Sequence, residues 1–281
     1  MRMNPIENGV ETSSEACWGC MYDENNHLCD QSIYEQILSE HEDDDHAMNH
    51  MDQAMTAHAR MQKSVDVHST RVTFDHSSLT TGEETQLSFS LEDLSSGKKI
   101  TDLEIMHDKP MHVILVRDDL QHFGHIHPVL ENGRWIVPYT FLAGGKYRVW
   151  VDFMSEGMMH LVDFDVDVEG DDAEEQEHLQ GLQIEMKRQG TQFSFLVYDE
   201  KKNPVALTEP FLGAAAHFVT IDSTLQDFGH THDEQVDSDH VLTFMPSFMM
   251  PGEYRGWVQF VYHNEERTAP FSFSVENTHD E

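Results

Sequence analysis

Short segments in which apolar and polar residues alternate make up most of the chain after about residue 67. Two of them, MHVILVRD at 111–118 and GKYRVWVDF at 145–153, are rich in β-branched and aromatic residues, LEIM at 103–106 is a shorter predicted strand, and turn-forming residues lie between such segments. A period of two is typical of β-strands, and short strands separated by turns are typical of antiparallel sandwiches. The pattern therefore predicts a β-sandwich of about seven strands over residues 67–168.

The strand pattern is interrupted by a charged segment, EGDDAEEQEHLQ, and then occurs a second time. LQHFGHIHP at 120–128 matches LQDFGHTHD at 225–233, and GKYRVWVDF matches GEYRGWVQF at 252–260. Self-similarity at a period of about 105 residues indicates a duplicated domain. The predicted organisation is a head at 1–66, repeat 1 at 67–168, an acidic linker at 169–180, repeat 2 at 181–276 and a tail at 277–281.

One tyrosine stands at the same place in each copy of the second matched segment. Tyr147 and Tyr254 resemble the tyrosine that closes a strand corner in Greek-key sandwiches. The expected fold class is therefore mainly β, with two tandem immunoglobulin-like antiparallel β-sandwiches after the head.

The head differs from the repeats in its pattern. SIYEQILSEH places Ile33, Ile37 and Leu38 on one helical face, and the segment HAMNHMDQAMTAHARMQ contains neither Gly nor Pro. These features predict a helical, partly disordered segment, with helix over about 31–63. Its methionine stripe is suited to packing on the sandwiches, on a protein partner or on a second copy of the chain.

The net charge of the chain limits the kinds of partner that it can bind. The chain has 17 Lys and Arg against 52 Asp and Glu, a formal net charge of −35. Phosphate groups would be repelled, so we expect neither nucleic acid nor an anionic membrane surface as a partner. We also expect no membrane insertion, since no apolar run is long enough for a transmembrane helix, and the first thirty residues predict no secretory signal.

Histidines recur at the same spacing in both repeats. His125 and His127 are two residues apart, so on a strand they project to the same side, and a hairpin can bring His112 beside them. Three converging imidazoles form a metal site that suits copper and zinc alike. The alternative is a structural turn whose histidines cap backbone carbonyls. The predicted metal ligands are His112, His125 and His127 in repeat 1 and His217, His230 and His232 in repeat 2.

Nearby residues extend the prediction in repeat 1 more than in repeat 2. Thioethers near the histidines would favour Cu(I). Repeat 2 has Leu212 and Asp227 in the places of His107 and His122, so the site in repeat 1 is expected to be the stronger of the two. The additional candidates are Met106, Met111, Met158, Met159, His107, His122 and His160 in repeat 1, and Met245, Met249, Met250 and His263 in repeat 2.

The head carries two further groups of candidate ligands. Mixed imidazoles and thioethers suit a Cu(I)-buffering tail, with a packing face as the alternative for the methionines. The cysteine group suits a zinc site, while a redox disulfide between Cys17 and Cys20 or unligated thiols are the alternatives. The first group is His46, Met48, His50, Met51, Met55 and His58, and the second is Cys17, Cys20, His27 and Cys29.

The segment KPMHVILVRDDLQHFGHIHP at 109–128, followed by a Gly-x-Tyr strand, resembles the extracytoplasmic YtkA-like and related cupredoxin-like sandwich domains. The resemblance covers about 70–168 well and 181–276 more weakly. It implies a role in handling copper or another heavy metal, an extracytoplasmic location, and His112, His125 and His127 as ligands.

Three functions are consistent with these observations. The first is a metal-binding protein, with copper preferred over zinc, that sequesters or delivers its ion. The second is a structural or interaction protein of tandem immunoglobulin-like domains without metal chemistry. The third, ranked lower, is a copper metalloenzyme. We expect a non-enzyme, because neither repeat has the further ligands of a bimetal dismutase-like site, and no hydrolase or phosphate-binding motif occurs.

Overall fold

The computed structural model describes residues 61–106, 108–172, 179–207, 209–233 and 241–276. They belong to one compact unit, Met55–Glu281. Within these ranges the chain forms seventeen strands and no helix, and therefore no helix able to span a membrane.

Repeat 1 forms a β-sandwich of two five-stranded sheets. One sheet has the order β1-β2-β4-β8-β7 and the other β3-β10-β9-β5-β6. Phe74, Phe89 and Phe153, all fully buried, lie in the core between them. The strands are β1 (Met61–Val67), β2 (Thr70–His76), β3 (Leu79–Thr80), β4 (Glu84–Asp93), β5 (Met111–Arg117), β6 (Phe123–Ile126), β7 (Val129–Glu131), β8 (Arg134–Thr140), β9 (Gly145–Ser155) and β10 (Met158–Glu169).

Repeat 2 forms a smaller sandwich of three plus four strands, with the orders β11-β12-β15 and β14-β13-β16-β17. Phe193, Phe195 and Phe218 are fully buried in its core. The strands are β11 (Leu182–Gln189), β12 (Gln192–Asp199), β13 (Ala216–Asp222), β14 (Phe228–Asp233), β15 (Val241–Phe244), β16 (Gly252–Tyr262) and β17 (Glu265–Val275).

Both predicted corner tyrosines close a loop onto its own backbone. The hydroxyl of Tyr147 donates to the Ala143 carbonyl at 3.0 Å. The hydroxyl of Tyr254 donates to the Met250 carbonyl at 2.7 Å. Each bond spans four residues back along the chain, as in a tyrosine corner.

The β5 strand is buried along its whole length because it faces two cores. Met111, Val113 and Leu115 point into the core of repeat 1. Ile114 and Val116 face the other way, into a third cluster that contains residues of repeat 2. Burial on both faces explains why this strand is continuously apolar rather than alternating. We call this cluster the inter-repeat interface; its buried members are Ile114, Val116, Leu120, Trp150, Val219, Ile221 and Trp257.

The inter-repeat interface is built reciprocally. Phe123 of repeat 1 stacks on Trp257 of repeat 2, with ring centroids 4.7 Å apart. The equivalent pair, Trp150 and Phe228, stacks at 5.6 Å. Equivalent residues of the two repeats therefore exchange partners, as in a two-fold symmetric dimer interface. This contact brings the outer faces of β5 and β13 together.

Two details of the sequence interpretation were wrong. Residues 61–63, the last part of the helix predicted over 31–63, belong instead to β1, which pairs with β2 from Met61 opposite His76. Val65 and Val67 of β1 pack on the core of repeat 1. The rest of that helix lies outside the described residues. The apolar segment LEIM near 103–106 makes isolated bridges rather than a strand.

Candidate metal centre

A tight hairpin turn returns the chain after β5 so that β6 runs beside it. The Leu120 amide donates to the Arg117 carbonyl at 2.8 Å, and the Arg117 amide donates to the His122 carbonyl at 3.0 Å. Leu120 has a φ of 61°, and so does Leu225 at the same place in repeat 2. Leucine rarely adopts this conformation, and burying the Leu120 side chain in the inter-repeat interface offsets its strain.

Glycine in the Phe-Gly-His-x-His pattern has a steric reason. A Cβ on Gly124 would lie 2.5 Å from the hydroxyl of Tyr139, and a Cβ on Gly229 would lie 2.5 Å from the Thr220 Oγ1. Both glycines therefore let β6 and β14 lie close to their neighbours. Close packing here fixes the position of the histidines that follow.

Three imidazoles of repeat 1 converge on one point, and we call them triplet 1: His112, His125 and His127. The Nδ1 atom of His112 lies 3.1 Å from the Nε2 atom of His125. The Nε2 atom of His127 lies 3.2 Å from each of these two nitrogens. The three nitrogens form a nearly equilateral triangle.

The outer nitrogens of triplet 1 show where its protons are. His112 Nε2 lies 3.0 Å from the Met106 carbonyl, and His125 Nδ1 lies 2.7 Å from Gln259 Oε1. An oxygen of this kind only accepts, so each outer nitrogen carries the proton and donates it. In a neutral ring the inner nitrogen then has a lone pair. Two lone pairs face each other at 3.1 Å, an arrangement that a cation between them would stabilise.

Gln259 is itself held in the orientation that this bond requires. Its Nε2 donates to the Glu266 carboxylate at 2.7 Å, which leaves Oε1 to accept from His125. Glutamine amide orientation is assigned from such partners. A chain of hydrogen bonds from Glu266 through Gln259 thus orients the His125 ring from behind, as outer-shell residues do in metal sites.

Burial keeps the His125 and His127 rings neutral. It lowers the pKa of His125 well below its usual range, and the neighbouring imidazoles of His127 and His112 add to the effect. Burial, followed by His112, lowers the pKa of His127 to about 3. Neutral imidazole is the form that binds metal ions.

The nitrogen triangle fits a first-row transition metal. For metal–nitrogen bonds of about 2.0–2.1 Å, nitrogens at these separations subtend angles of about 100° at an ion equidistant from all three. This is close to the angle of a tetrahedron, so an ion would lie above the triangle with a fourth position open. His112 is fully buried, whereas His125 and His127 are partly buried, so the site is accessible from the β6 side.

Repeat 2 repeats the ring arrangement in triplet 2: His217, His230 and His232. The ring centroids of His217 and His230 lie 5.3 Å apart, those of His217 and His232 4.4 Å, and those of His230 and His232 4.6 Å. The corresponding distances in triplet 1 are 5.4, 4.8 and 4.6 Å. The duplicated sequence thus produces duplicated ring geometry.

Hydrogen bonding in triplet 2 follows the same plan on its buried side. His217 Nε2 donates to the Phe211 carbonyl at 3.1 Å, and His217 Nδ1 lies 3.1 Å from His230 Nε2. The outer nitrogen of His230 lies 3.7 Å from an oxygen of Asp152. Asp152 occupies in repeat 1 the place that Gln259 occupies in repeat 2.

The two triplets lie against each other across the inter-repeat interface. The rings of His125 and His230 are 5.0 Å apart, and those of His112 and His230 are 5.2 Å apart. One nitrogen from each of His125, His217 and His230 lies within 4.8 Å of the others. The six histidines that we predicted as two separate sites therefore form one cluster.

Several of the additional candidates make other contacts. Met111 packs in the core of repeat 1, on the face opposite His112. His160 stacks on Phe153 with ring centroids 4.8 Å apart. Met106 meets triplet 1 through its backbone oxygen.

In repeat 2, Met245 is 70% exposed, and His263 is exposed and stacks on Tyr262. Asp227, the counterpart of His122, accepts a bond from the Met249 amide at 2.7 Å and shares the single hydroxyl proton of Tyr254 with the Met250 carbonyl. His107 and the two head groups fall outside the described residues.

Sequence reasoning missed Asp152 and Gln259. Both are nearly fully buried polar residues at the fourth position of an apolar run, VWVDF and GWVQF. A buried polar group needs a partner, and their equivalent places in the duplicated segment were the available signal. The sequence alone could not show that each supports a histidine of the other repeat.

Comparison with known proteins identifies a matching family and several distantly similar structures. No curated protein matches the chain. A Salmonella alpha-2-macroglobulin mutant is 13% identical with a TM-score of 0.27, over 74% of this chain and 15% of that protein. An Escherichia coli alpha-2-macroglobulin activated by porcine elastase is 12% identical with a TM-score of 0.26, over 77% and 20%.

A marsupial T cell receptor is 10% identical with a TM-score of 0.22, over 75% of this chain and 95% of the receptor. The chain thus spans a fifth or less of the macroglobulins it matches. A family described as "Domain of unknown function (DUF8832)" matches residues 63–170 and again residues 177–277. The chain therefore belongs to the DUF8832 family and carries its domain twice, once in each repeat.

Proposed function

We propose that this protein binds copper in the histidine cluster between its two repeats, in order to sequester or deliver the ion. One observation carries the proposal: in triplet 1, His112 Nδ1 and His125 Nε2 face each other at 3.1 Å while the opposite nitrogen of each ring donates to an oxygen. Two lone pairs at this distance repel each other unless a hydrogen-bond donor or a cation lies between them.

The donor set supports a transition metal. Neutral imidazole suits copper and zinc, and hard ions such as Mg²⁺ and Ca²⁺ prefer oxygen ligands. The outer ring N–H groups of His112 and His125 donate to oxygens of Met106 and Gln259. Metal-binding histidines commonly make such outer-shell hydrogen bonds. The resemblance of 109–128 to YtkA-like and cupredoxin-like domains favours copper over zinc.

Binding and transfer fit the site better than catalysis. A tetrahedral ion on triplet 1 would keep one open position on the β6 side, which gives an incoming ligand a route for exchange. The formal net charge of −35 attracts cations to the protein. Each of these features helps an ion to enter and leave.

We also propose a specific type for the two sandwiches. We assign both sandwiches to the immunoglobulin-like type. The tyrosine corners support it, and so does the three-plus-four strand arrangement of repeat 2.

A competition titration tests the proposal. Full-length protein with alkylated thiols competes with a chromophoric chelator for Cu(I), beside the variants His112→Ala and His125→Ala. We expect either variant to weaken Cu(I) binding at triplet 1 by more than about 100-fold, the upper range for loss of an outer-shell residue.

His263→Asn is the matched control, since His263 is an exposed histidine with a positive φ that asparagine tolerates. It should bind copper like the wild type. Equal affinities in all four proteins would contradict the proposal and favour a structural scaffold without metal chemistry.

A further inference from the structure

The two triplets have nearly the same ring arrangement. Their ring separations agree within 0.4 Å for every matched pair. In both, a buried ring donates to a backbone carbonyl six residues earlier, Met106 for His112 and Phe211 for His217. His217 Nδ1 and His230 Nε2 repeat the 3.1 Å separation of triplet 1, and the His232 ring lies beside both, which supports an ion in each triplet.

Ions in the two triplets would be close neighbours. The rings of His125 and His230 are 5.0 Å apart, and those of His125 and His217 are 5.8 Å apart. These rings touch, so only imidazole would separate the two ions. Each ion would then be influenced by the charge of the other.

The surroundings offer little negative charge to balance two ions. The six proposed ligands are imidazoles, which supply no negative charge, and Asp152 has a carboxyl oxygen 3.7 Å from His230 Nδ1. Glu266 lies one residue further away, behind Gln259. The adjoining inter-repeat interface is apolar, with Trp150 and Trp257 among its members.

Charge therefore decides how many ions fit. Repulsion between two ions scales with the product of their charges, so a divalent pair repels four times as strongly as a monovalent pair at the same distance. The cost of taking an ion out of water also grows steeply with its charge. Two monovalent ions bring a charge that this environment tolerates far better than the charge of two divalent ions.

Asp152 makes the triplets unequal for a divalent ion. A carboxylate 3.7 Å from a ring nitrogen is too far away for a hydrogen bond, but its charge attracts a nearby ion in proportion to the charge of that ion. It lies behind His230 of triplet 2, whereas the neutral amide of Gln259 lies behind His125 of triplet 1. A single divalent ion would therefore prefer triplet 2.

Resting on the proposed metal-binding function, we propose that the cluster is a two-ion centre selective for monovalent soft ions. It holds two Cu(I)-type ions at once, one in each triplet, but a single divalent ion, which occupies triplet 2.

Ion counting tests this proposal with two redox-inert probes, Ag(I) and Zn(II). Full-length protein with alkylated thiols is dialysed against each ion and the bound metal is measured. The double variant His127→Ala/His232→Ala gives the background from the head, and both rings are partly buried, so the fold is expected to tolerate the change. His127→Gln and His232→Gln form a second set that keeps more of the side-chain volume.

We expect the wild type to bind two more Ag(I) ions and one more Zn(II) ion than the double variant. The single change at His127 should remove one Ag(I) and leave Zn(II) unchanged, whereas the change at His232 should remove one Ag(I) and the Zn(II). Two Zn(II) ions in the wild type, one Ag(I) ion, or loss of Zn(II) from the His127 variant would overturn the two-ion proposal. Equal counts of both metals in wild type and double variant would instead contradict the metal-binding function itself.

Discussion

Triplet 1 and triplet 2 share their ring geometry but differ in the residue behind one ring. His125 donates to the neutral amide of Gln259 at 2.7 Å. His230, its equivalent, lies 3.7 Å from the carboxylate of Asp152. The duplicated segments thus place equivalent rings around two points, with a carboxyl group near one of them and an amide near the other. Where that carboxyl is ionised, its charge in an apolar setting would give the two triplets the different metal preferences that we propose.

The comparison also shows that neither triplet is supported by its own repeat alone. Gln259 belongs to repeat 2 and holds a ring of repeat 1, while Asp152 of repeat 1 lies beside a ring of repeat 2. Packing between the repeats is therefore part of the site. Changes in the interface and changes in the ligands should affect the same property.

The largest effect is expected from Trp257→Ala, which tests whether the two triplets depend on one interface. Trp257 is fully buried and stacks on Phe123 of the other repeat. Truncation of a buried aromatic residue costs about 3–5 kcal/mol of unfolding free energy, measured by urea denaturation, and here it should also weaken Ag(I) binding at both triplets.

Trp135→Ala is the control, since Trp135 lies in the core of repeat 1 and outside the inter-repeat interface. It should destabilise the protein but leave the Ag(I) affinity of the remaining folded protein near the wild-type value. Equal loss of metal in both variants would show that the interface has no special role in the site.

The next effect concerns His125, which belongs to triplet 1 but lies within reach of triplet 2. His125→Ala should weaken Cu(I) binding at triplet 1 by more than about 100-fold and should also alter the affinity of triplet 2. His127→Ala should affect triplet 1 alone. Stepwise binding constants from the chelator competition check this, and a variant of His125 that leaves triplet 2 unchanged would mean that the triplets are independent.

A smaller effect is expected from the supporting residues. Gln259→Leu removes the acceptor for His125 Nδ1, and loss of an outer-shell partner typically weakens metal binding by about 10–100-fold. Triplet 1 should be affected although the change lies in repeat 2. Asp152→Asn should act on triplet 2 although the change lies in repeat 1, and it should reduce Zn(II) affinity more than Ag(I) affinity. A variant that affects the triplet of its own repeat instead would refute the exchanged support.

The smallest effect is a pH dependence of the metal-free protein. His125, His127 and His230 have lowered pKa values in the folded protein, chiefly because of burial, so below about pH 6.5 the unfolded chain binds protons that the folded protein does not. Each such proton lowers the unfolding free energy by about 1.4 kcal/mol per pH unit as the pH falls.

Asp152 acts in the opposite direction, because burial raises its pKa to about 7 and the folded protein then binds a proton as the pH falls. His76 and His160 act in the same direction as the first three histidines, and Asp227 and Glu266 act in the same direction as Asp152, in each case chiefly because of burial. Five histidines outweigh three carboxyls, so stability should fall from pH 7 to pH 5 in urea titrations. Asp152→Asn should make this fall steeper. A flat profile in the wild type would contradict the burial of neutral rings.

The sequence predicted the parts of the fold that depend on local pattern. Alternation in 145–153 and 252–260 indicated β9 and β16, and the matched tyrosines indicated the corners that Tyr147 and Tyr254 close. The helix predicted over 31–63 was wrong at residues 61–63, because pairing with β2 and packing of Val65 outweigh helix propensity there.

The candidate site was predictable as two spacings but not as one cluster. His112, His125 and His127 follow from a strand, a turn and a period of two. The packing of β5 against β13 is a contact between residues about a hundred positions apart, which no local pattern encodes. Asp152 and Gln259 become meaningful only once that contact is known.

X-ray absorption spectroscopy of Cu(I)-loaded, thiol-alkylated protein tests the central claim most directly, namely that three imidazole nitrogens of one triplet bind one ion. We expect a first shell of nitrogen scatterers at about 2.0 Å with the outer-shell features of imidazole, and loss of most of this signal in His127→Ala/His232→Ala. A first shell dominated by sulfur, or a spectrum that the double variant leaves unchanged, would contradict the account.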